Sequence, residues 1–221
     1  MLGTAGRWFL NDYYQRNPLV DTLTHRGRHL AAWLPRSPHT NRPMICAHPS
    51  LPGAFQLRAE FWTPRPLGEV FAFFADACNL QELTPAFLHF EVLTPSPILM
   101  HVGTTIDYRL RMHGLPMKWS SLISAWEPPY RFVDEQVRGP YAFWHHEHTF
   151  EEQHGGTLIR DVVDYGVPGG WLMHALFVRR DLTAIFRYRT QQMEQLFGRQ
   201  ETFHTDQESG RAVGDSTNCD R

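Results

Sequence analysis

The chain has 221 residues, of which 42% are hydrophobic and 13% aromatic, enough for a packed core and too apolar for global disorder. The formal net charge of −2 gives no support to nucleic-acid binding. No apolar run reaches the roughly 18–20 residues that span a bilayer. The cysteines at 46, 78 and 219 are odd in number and far apart, which favours a reducing, cytoplasmic compartment over a disulfide framework or a zinc motif.

Charge and composition divide the chain into three parts. Residues 1–53 contain six Arg against two Asp and a Pro-rich stretch from Pro35 to Pro52 without helix or strand periodicity, which predicts a basic, mostly loose extension. Residues 54–198 carry regular patterns and form the predicted folded domain. Residues 199–221 are polar and almost free of aliphatic side chains, which predicts a disordered tail.

Apolar residues in the first 34 positions fall near helical spacing, and three interpretations of this segment stay open. It is a short extension that packs poorly, or a basic amphipathic helix that contacts an anionic membrane surface. In the third interpretation, Met44 is the true start and residues 1–43 do not belong to the native protein. We predict in each case that the folded domain does not need the amino-terminal 53 residues.

The middle of the chain begins with an alternating strand over Ala54–Trp62, and Pro64 and Pro66 end it. A helix over Leu67–Ala77 and a short helix over Leu80–Thr84 follow. Trp171–Phe197 is one long helical pattern without Gly or Pro. Between these helices, alternating runs joined by short turns predict six antiparallel strands at 89–94, 104–113, 117–127, 131–138, 141–153 and 157–167.

This order predicts an α+β fold in which a curved seven-stranded antiparallel sheet wraps around one long carboxy-terminal helix. A single helix does not seal such a sheet everywhere, so an internal cavity is expected. The strings VFAFFADACNLQELTPAFLHFEVLTP (70–95), GTTIDYRLRMHGLPMKW (103–119), FVDEQVRGPY (132–141), WHHEHTFEE (144–152) and TLIRDVVDYGVP (157–168) resemble the helix-grip superfamily called SRPBCC, which includes START and birch-pollen-allergen-like proteins.

The resemblance covers residues 54–198 and is closest to bacterial members related to polyketide cyclases/dehydrases and coenzyme Q-binding START-like proteins. It implies a cavity for a hydrophobic ligand between the sheet and the long helix. It does not imply a catalytic set, because the superfamily mixes carriers, sensors and cyclases. Coenzyme Q and fatty acids are equally compatible ligands, and no cofactor is implied.

Strand alternation places the side chains that are expected to face this cavity. Trp144, His146 and His148 share one face of their strand, and Asp161 falls on the apolar face of the next. The complete predicted ligand-binding set is Tyr108, Leu110, Trp119, Ile123, Phe132, Trp144, His146, His148, Asp161, Val163, Leu182 and Phe186. The strand 131–138 is ambiguous, although the face that contains Phe132 would also bring Asp134 and Gln136 inward.

Two histidines and an aspartate on an apolar face must bond to one another or to a ligand. The pattern leaves open a structural network, a group that orients the ligand, and an acid–base pair in which His146 or His148 is the base and Asp161 supports it. A metal site is disfavoured because no third histidine falls on an inward face. Arg189 lies beside the apolar stripe of the long helix, where a side chain that extends to solvent is favoured over one that reaches a cavity carboxylate.

The sequence therefore predicts the binding, and with it transport or sensing, of a small hydrophobic, lipid-like or aromatic molecule. The alternative is an enzyme of the cyclase/dehydrase type that uses the His–Asp pair as its catalytic candidates. A protein-interaction module is a third class, and it would show an exposed apolar patch on the sheet or helix.

Overall fold

A computed structural model describes residues 42–198, and the predictions for 1–41 and 199–221 lie outside the described residues. Eight antiparallel strands form one sheet in the order β1-β2-β8-β7-β6-β5-β4-β3. Their bounds are β1 Met44–Ala47, β2 Phe55–Thr63, β3 Glu91–Val92, β4 Thr105–Met112, β5 Leu115–Glu127, β6 Arg131–Arg138, β7 Phe143–Gln153 and β8 Gly156–Gly166. The predicted α+β class and curved sheet are confirmed.

Short helices connect β2 to β3 and form one side of the interior. Helix α1 (Leu67–Ala75) begins after Pro66 and buries Leu67, Val70, Phe71 and Phe74. Two 3₁₀ turns, Ala77–Gln81 and Ala86–Leu88, take the place of the single predicted helix over 80–84. Pro85 between them explains the interruption, because proline has no N–H with which to continue a helical ladder.

The sheet has one strand more than the seven predicted. Met44–Ala47 pairs with β2, with Ile45 opposite Leu57, although the Pro-rich composition predicted a loose linker there. Four residues are too few for an alternating pattern to stand out from their surroundings. The prediction that the sheet begins near Ala54 is therefore wrong, because β1 is an additional edge strand that precedes it.

A bulge in β5 changes which side chains face the interior. The pairing between β5 and β6 shifts between Ile123 and Ala125, and an inserted residue of this kind reverses the alternation beyond it. Trp126, rather than Ala125, consequently packs against the core, where its ring lies 5.3 Å from that of Phe71. Simple alternation along the strand predicts the opposite.

The long carboxy-terminal helix is confirmed and has three sections. It consists of α2 (Gly170–Met173), a π-helical turn (His174–Val178) and α3 (Arg179–Phe197). The π-helical turn carries His174, whose ring stacks on Phe55 at 3.5 Å and whose Nε2 lies 3.0 Å from the hydroxyl of Tyr165. These contacts attach the beginning of the helix to β2 and β8.

The other end of the helix packs between α1 and the sheet, where Met193 and Phe197 join a core with Phe61, Phe71 and Ile159. Thr63 donates a hydrogen bond to the carbonyl of Phe197, at 3.1 Å. The helix is therefore attached to the sheet at both ends. Its middle, around Leu182 and Phe186, passes over the interior space that the sheet leaves.

The outer face near the start of the helix is apolar and exposed. Its exposed side chains are Trp171, Leu172, Met173, Leu176 and Phe177. None of the helices between residues 42 and 198 combines the length and apolar character needed to cross a bilayer.

A chain shortened to begin at Met44 retains every described element. We expect it to melt within a few degrees of the full chain, because a loss of about 1 kcal/mol lowers the midpoint of a domain this size by roughly 2–4 °C. A chain that begins at Ala54 lacks β1, so it loses the half-buried Ile45 and leaves β2 as an open edge. We expect its midpoint to be roughly 5–10 °C lower than that of the Met44 chain.

Differential scanning calorimetry of the three chains provides the comparison. A decrease of 10 °C or more on removal of residues 1–43 would contradict their dispensability. Equal midpoints for the chains that begin at Met44 and Ala54 would show that β1 does not contribute to stability.

Candidate functional site

An internal cavity of about 210 Å³ lies between the sheet, the short helices and the middle of α3. The wall is mainly apolar, and strands β4 to β7 supply most of its sheet side. Apolar side chains from the 3₁₀ turns and from the segment before β4, including Leu88 and Met100, close the opposite side. The volume lies below the usual range of about 300–1,000 Å³ for drug-sized ligands and above the roughly 150 Å³ that holds a benzene ring.

Ten of the twelve side chains predicted to bind a ligand line this cavity. They are Tyr108, Leu110, Trp119, Ile123, Phe132, Trp144, His146, His148, Leu182 and Phe186. The other two do not reach the cavity wall. Val163 is fully buried in the core beside Leu57, and Asp161 lies behind the two imidazoles.

Four ionisable side chains meet at one part of the cavity wall, Asp134, His146, His148 and Arg189, and a fifth, Asp161, lies directly behind them. We call these five the polar cluster. The strand register brings four of them together, because Asp134 of β6 lies opposite His146 of β7 and His148 lies opposite Asp161 of β8. Directly opposed residues on antiparallel strands have neighbouring side chains. Arg189 enters from α3.

Each imidazole lies between two carboxylates. The Nδ1 of His146 and the Nε2 of His148 lie 3.4 and 3.2 Å from the same oxygen, Oδ2 of Asp134. The other ring nitrogens face Asp161, whose Oδ1 is 3.5 Å from Nε2 of His146 and 2.6 Å from Nδ1 of His148. The Nε of Arg189 lies 3.0 Å from Oδ2 of Asp161.

Several of these close contacts do not have hydrogen-bonding geometry. Nε2 of His146, Oδ1 of Asp161 and Nε of Arg189 are each shielded from solvent without a hydrogen-bond partner, in spite of the short distances. Their residues are only 7%, 2% and 6% exposed. Buried polar atoms are normally bonded, so these three atoms, which lie together around Asp161 behind the cavity wall, form close but poorly directed contacts.

The electrostatic environment of the two histidines differs. Burial and the neighbouring His148 lower the pKa of His146, which favours its neutral form. Burial would also lower the pKa of His148, but Asp161 and Asp134 outweigh it and raise that pKa. The two rings therefore occupy the same wall with opposite tendencies to hold a proton.

Both carboxylates of the polar cluster favour the ionised form. Burial alone would raise the pKa of Asp161, but Arg189 and then His148 hold it well below its ordinary value. The pKa of Asp134 is also lowered, because His146 and the hydrogen bond from His148 outweigh the effect of burial. The polar cluster thus contains two carboxylates and one permanent cation.

Two members of the polar cluster are absent from the predicted set. Asp134 lies on the strand whose inward face was ambiguous. Arg189 is 6% exposed and pairs with Asp161, so the prediction that it extends to solvent is wrong. Its guanidinium also lies over the ring of Phe74, at 5.2 Å.

A chain of side-chain bonds orients Asp134 from the direction of β5. The indole of Trp119 donates to Ser121 at 3.0 Å, and the hydroxyl of Ser121 donates to Oδ1 of Asp134 at 3.4 Å. This leaves Oδ2 of Asp134 facing the two imidazoles. Among residues 42–198, the group whose atoms could hold a metal is Asp134, His146 and His148.

Comparison with known proteins agrees with this architecture. A family model described as "Polyketide cyclase / dehydrase and lipid transport" matches residues 63–194. No curated protein matches the chain.

Solved structures with the same fold come from several organisms. Protein CV1439 from Chromobacterium violaceum is 16% identical, with a TM-score of 0.52, over 66% of this chain and 99% of its own. Protein Ms6760 from Mycobacterium smegmatis is also 16% identical, with a TM-score of 0.50, over 65% and 90%. The ginseng major latex-like protein 151 from Panax ginseng is 12% identical, with a TM-score of 0.50, over 65% and 97%. At these identities the likeness shows the shared fold.

Replacement of Arg189 by leucine tests whether the buried ion pair supports the fold. The change leaves the Asp161 carboxylate buried without its guanidinium, and we expect a loss of about 3–5 kcal/mol in the free energy of unfolding, measured by urea denaturation. Arg160→Leu is the matched control, because this arginine pairs with Glu60 and Glu151 and is partly exposed. Its loss should be no more than about 1 kcal/mol. Equal losses in the two variants would contradict a special role for Arg189.

Proposed function

Because this chain belongs to the polyketide cyclase/dehydrase and lipid transport family, we propose that its cavity binds a small, largely apolar molecule through one oxygen-bearing group. The observation that carries this proposal is the group of ionisable side chains gathered at one part of a mainly apolar cavity wall. Apolar walls supply affinity by removing the ligand from water, while a few convergent polar groups fix its orientation.

The volume limits the class of ligand. About 210 Å³ accommodates one aromatic ring with short substituents, or a short alkyl chain. Aromatic rings of the wall support an aromatic guest: Trp144 packs edge-to-face against Trp119, with centroids 5.4 Å apart. Coenzyme Q and long fatty acids fit this volume only through their ring or the end of their chain.

The polar cluster favours a hydroxyl, carbonyl or carboxylate on the guest. An imidazole that faces the cavity accepts from a hydroxyl or donates to a carbonyl, depending on its tautomer. The guanidinium of Arg189 also lines the cavity and favours an anionic oxygen. Use of the bound molecule for transport or sensing is part of this proposal.

A pair of matched ligands tests the role of the polar cluster. We expect 4-propylphenol to bind about 10–100-fold more tightly than propylbenzene in isothermal titration calorimetry, because its hydroxyl gains a hydrogen bond to a charged or strongly polar group worth about 1.5–3 kcal/mol. Leu110→Trp, which fills the cavity from β4, should weaken both ligands at least about tenfold. Leu172→Trp on the exposed helix face is the control and should change neither.

Equal affinities for the phenol and the hydrocarbon would contradict the assigned role of the polar cluster. Unchanged binding to the Leu110→Trp variant would place the ligand outside this cavity. Native mass spectrometry of the purified protein, followed by solvent extraction, then identifies a ligand that co-purifies.

A second candidate function is proton abstraction from a bound carbonyl compound, the step that opens a cyclase or dehydrase reaction. The observation that favours it is geometric. His146 and His148 both line the cavity, and Asp161 contacts both rings from behind. A histidine supported by a carboxylate is a recurring arrangement in acid–base catalysis, and here the ring that acts as base would exchange its contact with Asp134 for one with the substrate.

Hydrogen–deuterium exchange measures this activity without knowledge of the natural substrate. In D₂O and a metal chelator, we expect the protein to accelerate loss of the α-proton signals of 2-tetralone in the proton NMR spectrum. His146→Gln and His148→Gln should reduce this acceleration at least tenfold, and His145→Gln on the outer face of β7 should not. No acceleration, or equal rates in all three variants, would exclude the His–Asp pair as an acid–base catalyst for carbonyl compounds of this class.

A further inference from the structure

We propose that the polar cluster binds one tetrahedral divalent cation of the zinc class through Asp134, His146 and His148. Each of these side chains offers one ligand atom, and the three atoms lie within 4.8 Å of one another. Two histidines separated by one residue on a strand share a face, and a carboxylate from the neighbouring strand completes the set. The inference does not depend on the ligand proposed above.

The distances from Asp134 to the two imidazoles are compatible with a metal site. Bonds of about 2.0–2.1 Å place the ligand atoms of a tetrahedral zinc ion about 3.3–3.4 Å apart. Oδ2 of Asp134 lies 3.4 Å from Nδ1 of His146 and 3.2 Å from Nε2 of His148. The contact with His148 also has hydrogen-bonding geometry, so a bound ion would replace that hydrogen bond. Oδ2 of Asp134 is thus about as far from each imidazole nitrogen as two ligand atoms of one tetrahedral zinc ion are from each other.

The surroundings of the three ligands are those that a metal site needs. Metal-bound imidazoles usually donate the other ring N–H to a carboxylate, and Asp161 lies beside the second nitrogen of both rings. Nε2 of His146 and Oδ1 of Asp161 now lack a bond although their residues are 7% and 2% exposed. A small rotation of the rings around a central ion would give both atoms a partner.

The remaining coordination position opens into the cavity, because Asp134, His146 and His148 all line it. Three protein ligands with a free fourth position are typical of catalytic zinc sites, whereas structural sites are closed. An ion at this position would hold and polarise the oxygen of a bound guest. The same three residues would then act as ligands instead of transferring protons.

Cobalt(II) provides a spectroscopic test on the full chain, stripped of metal with a chelator, dialysed, and kept free of any organic ligand. We expect one equivalent of Co²⁺ to produce the intense visible bands of four-coordinate cobalt, and one equivalent of Zn²⁺ to remove them. Asp134→Asn and His148→Gln should weaken Zn²⁺ binding at least tenfold by competition calorimetry. Asp161→Asn should weaken it about 10–100-fold through the imidazoles.

His145→Gln is the matched control, because this imidazole belongs to the same strand, contacts Glu135 on the outer face and should leave the cobalt spectrum unchanged. Weak bands of six-coordinate cobalt in the unmodified chain would overturn the proposal whether or not any variant folds. Four-coordinate bands that persist in Asp134→Asn and His148→Gln would also overturn it. The phenol titration is made separately, so either result leaves the proposed ligand binding independently testable.

Discussion

The rest of the structure depends on one constraint: the negative charge of the buried Asp161 carboxylate must be balanced by neighbouring groups. An ionised carboxylate only 2% exposed is tolerated when cationic or hydrogen-bonding partners reach it. Those partners come from β7, directly across the strand pair, and from α3 through Arg189. The same requirement therefore sets the register of two central strands and the rotation of the long helix about its axis.

This requirement also explains why the interior is divided. Apolar clusters close the two ends of the space under the helix, one around Phe71 and Phe197 and the other around Leu57 and Tyr165. Between them, the polar cluster prevents a continuous apolar core from forming. The cavity and the charges are thus two aspects of one arrangement, in which the sheet supplies the carboxylates and imidazoles and the helix supplies the guanidinium.

Much of this arrangement could be predicted from the sequence, because the alternation along β4, β7 and β8 decides which side chains face inward. The positions of His146 and His148 follow from Trp144 and Phe150 on the same face. Alternation does not place Asp134, because its neighbours Phe132 and Val133 on β6 are both buried. The direction of the Arg189 side chain depends on which residue of the sheet lies opposite α3. The sequence pattern does not specify this residue, and the packed structure shows that it is Asp161.

The side of the cavity opposite the sheet has a consequence for kinetics. It consists of two 3₁₀ turns and the irregular segment between the two-residue strand β3 and β4, so mostly local backbone bonds hold it in place. Segments of this kind open at a lower free energy than the global unfolding of the sheet. Local fluctuation of this side would therefore contribute to the rates at which a guest of the proposed kind enters and leaves. Substitutions there would alter these exchange rates while leaving the melting temperature and the chemistry of the opposite wall nearly unchanged.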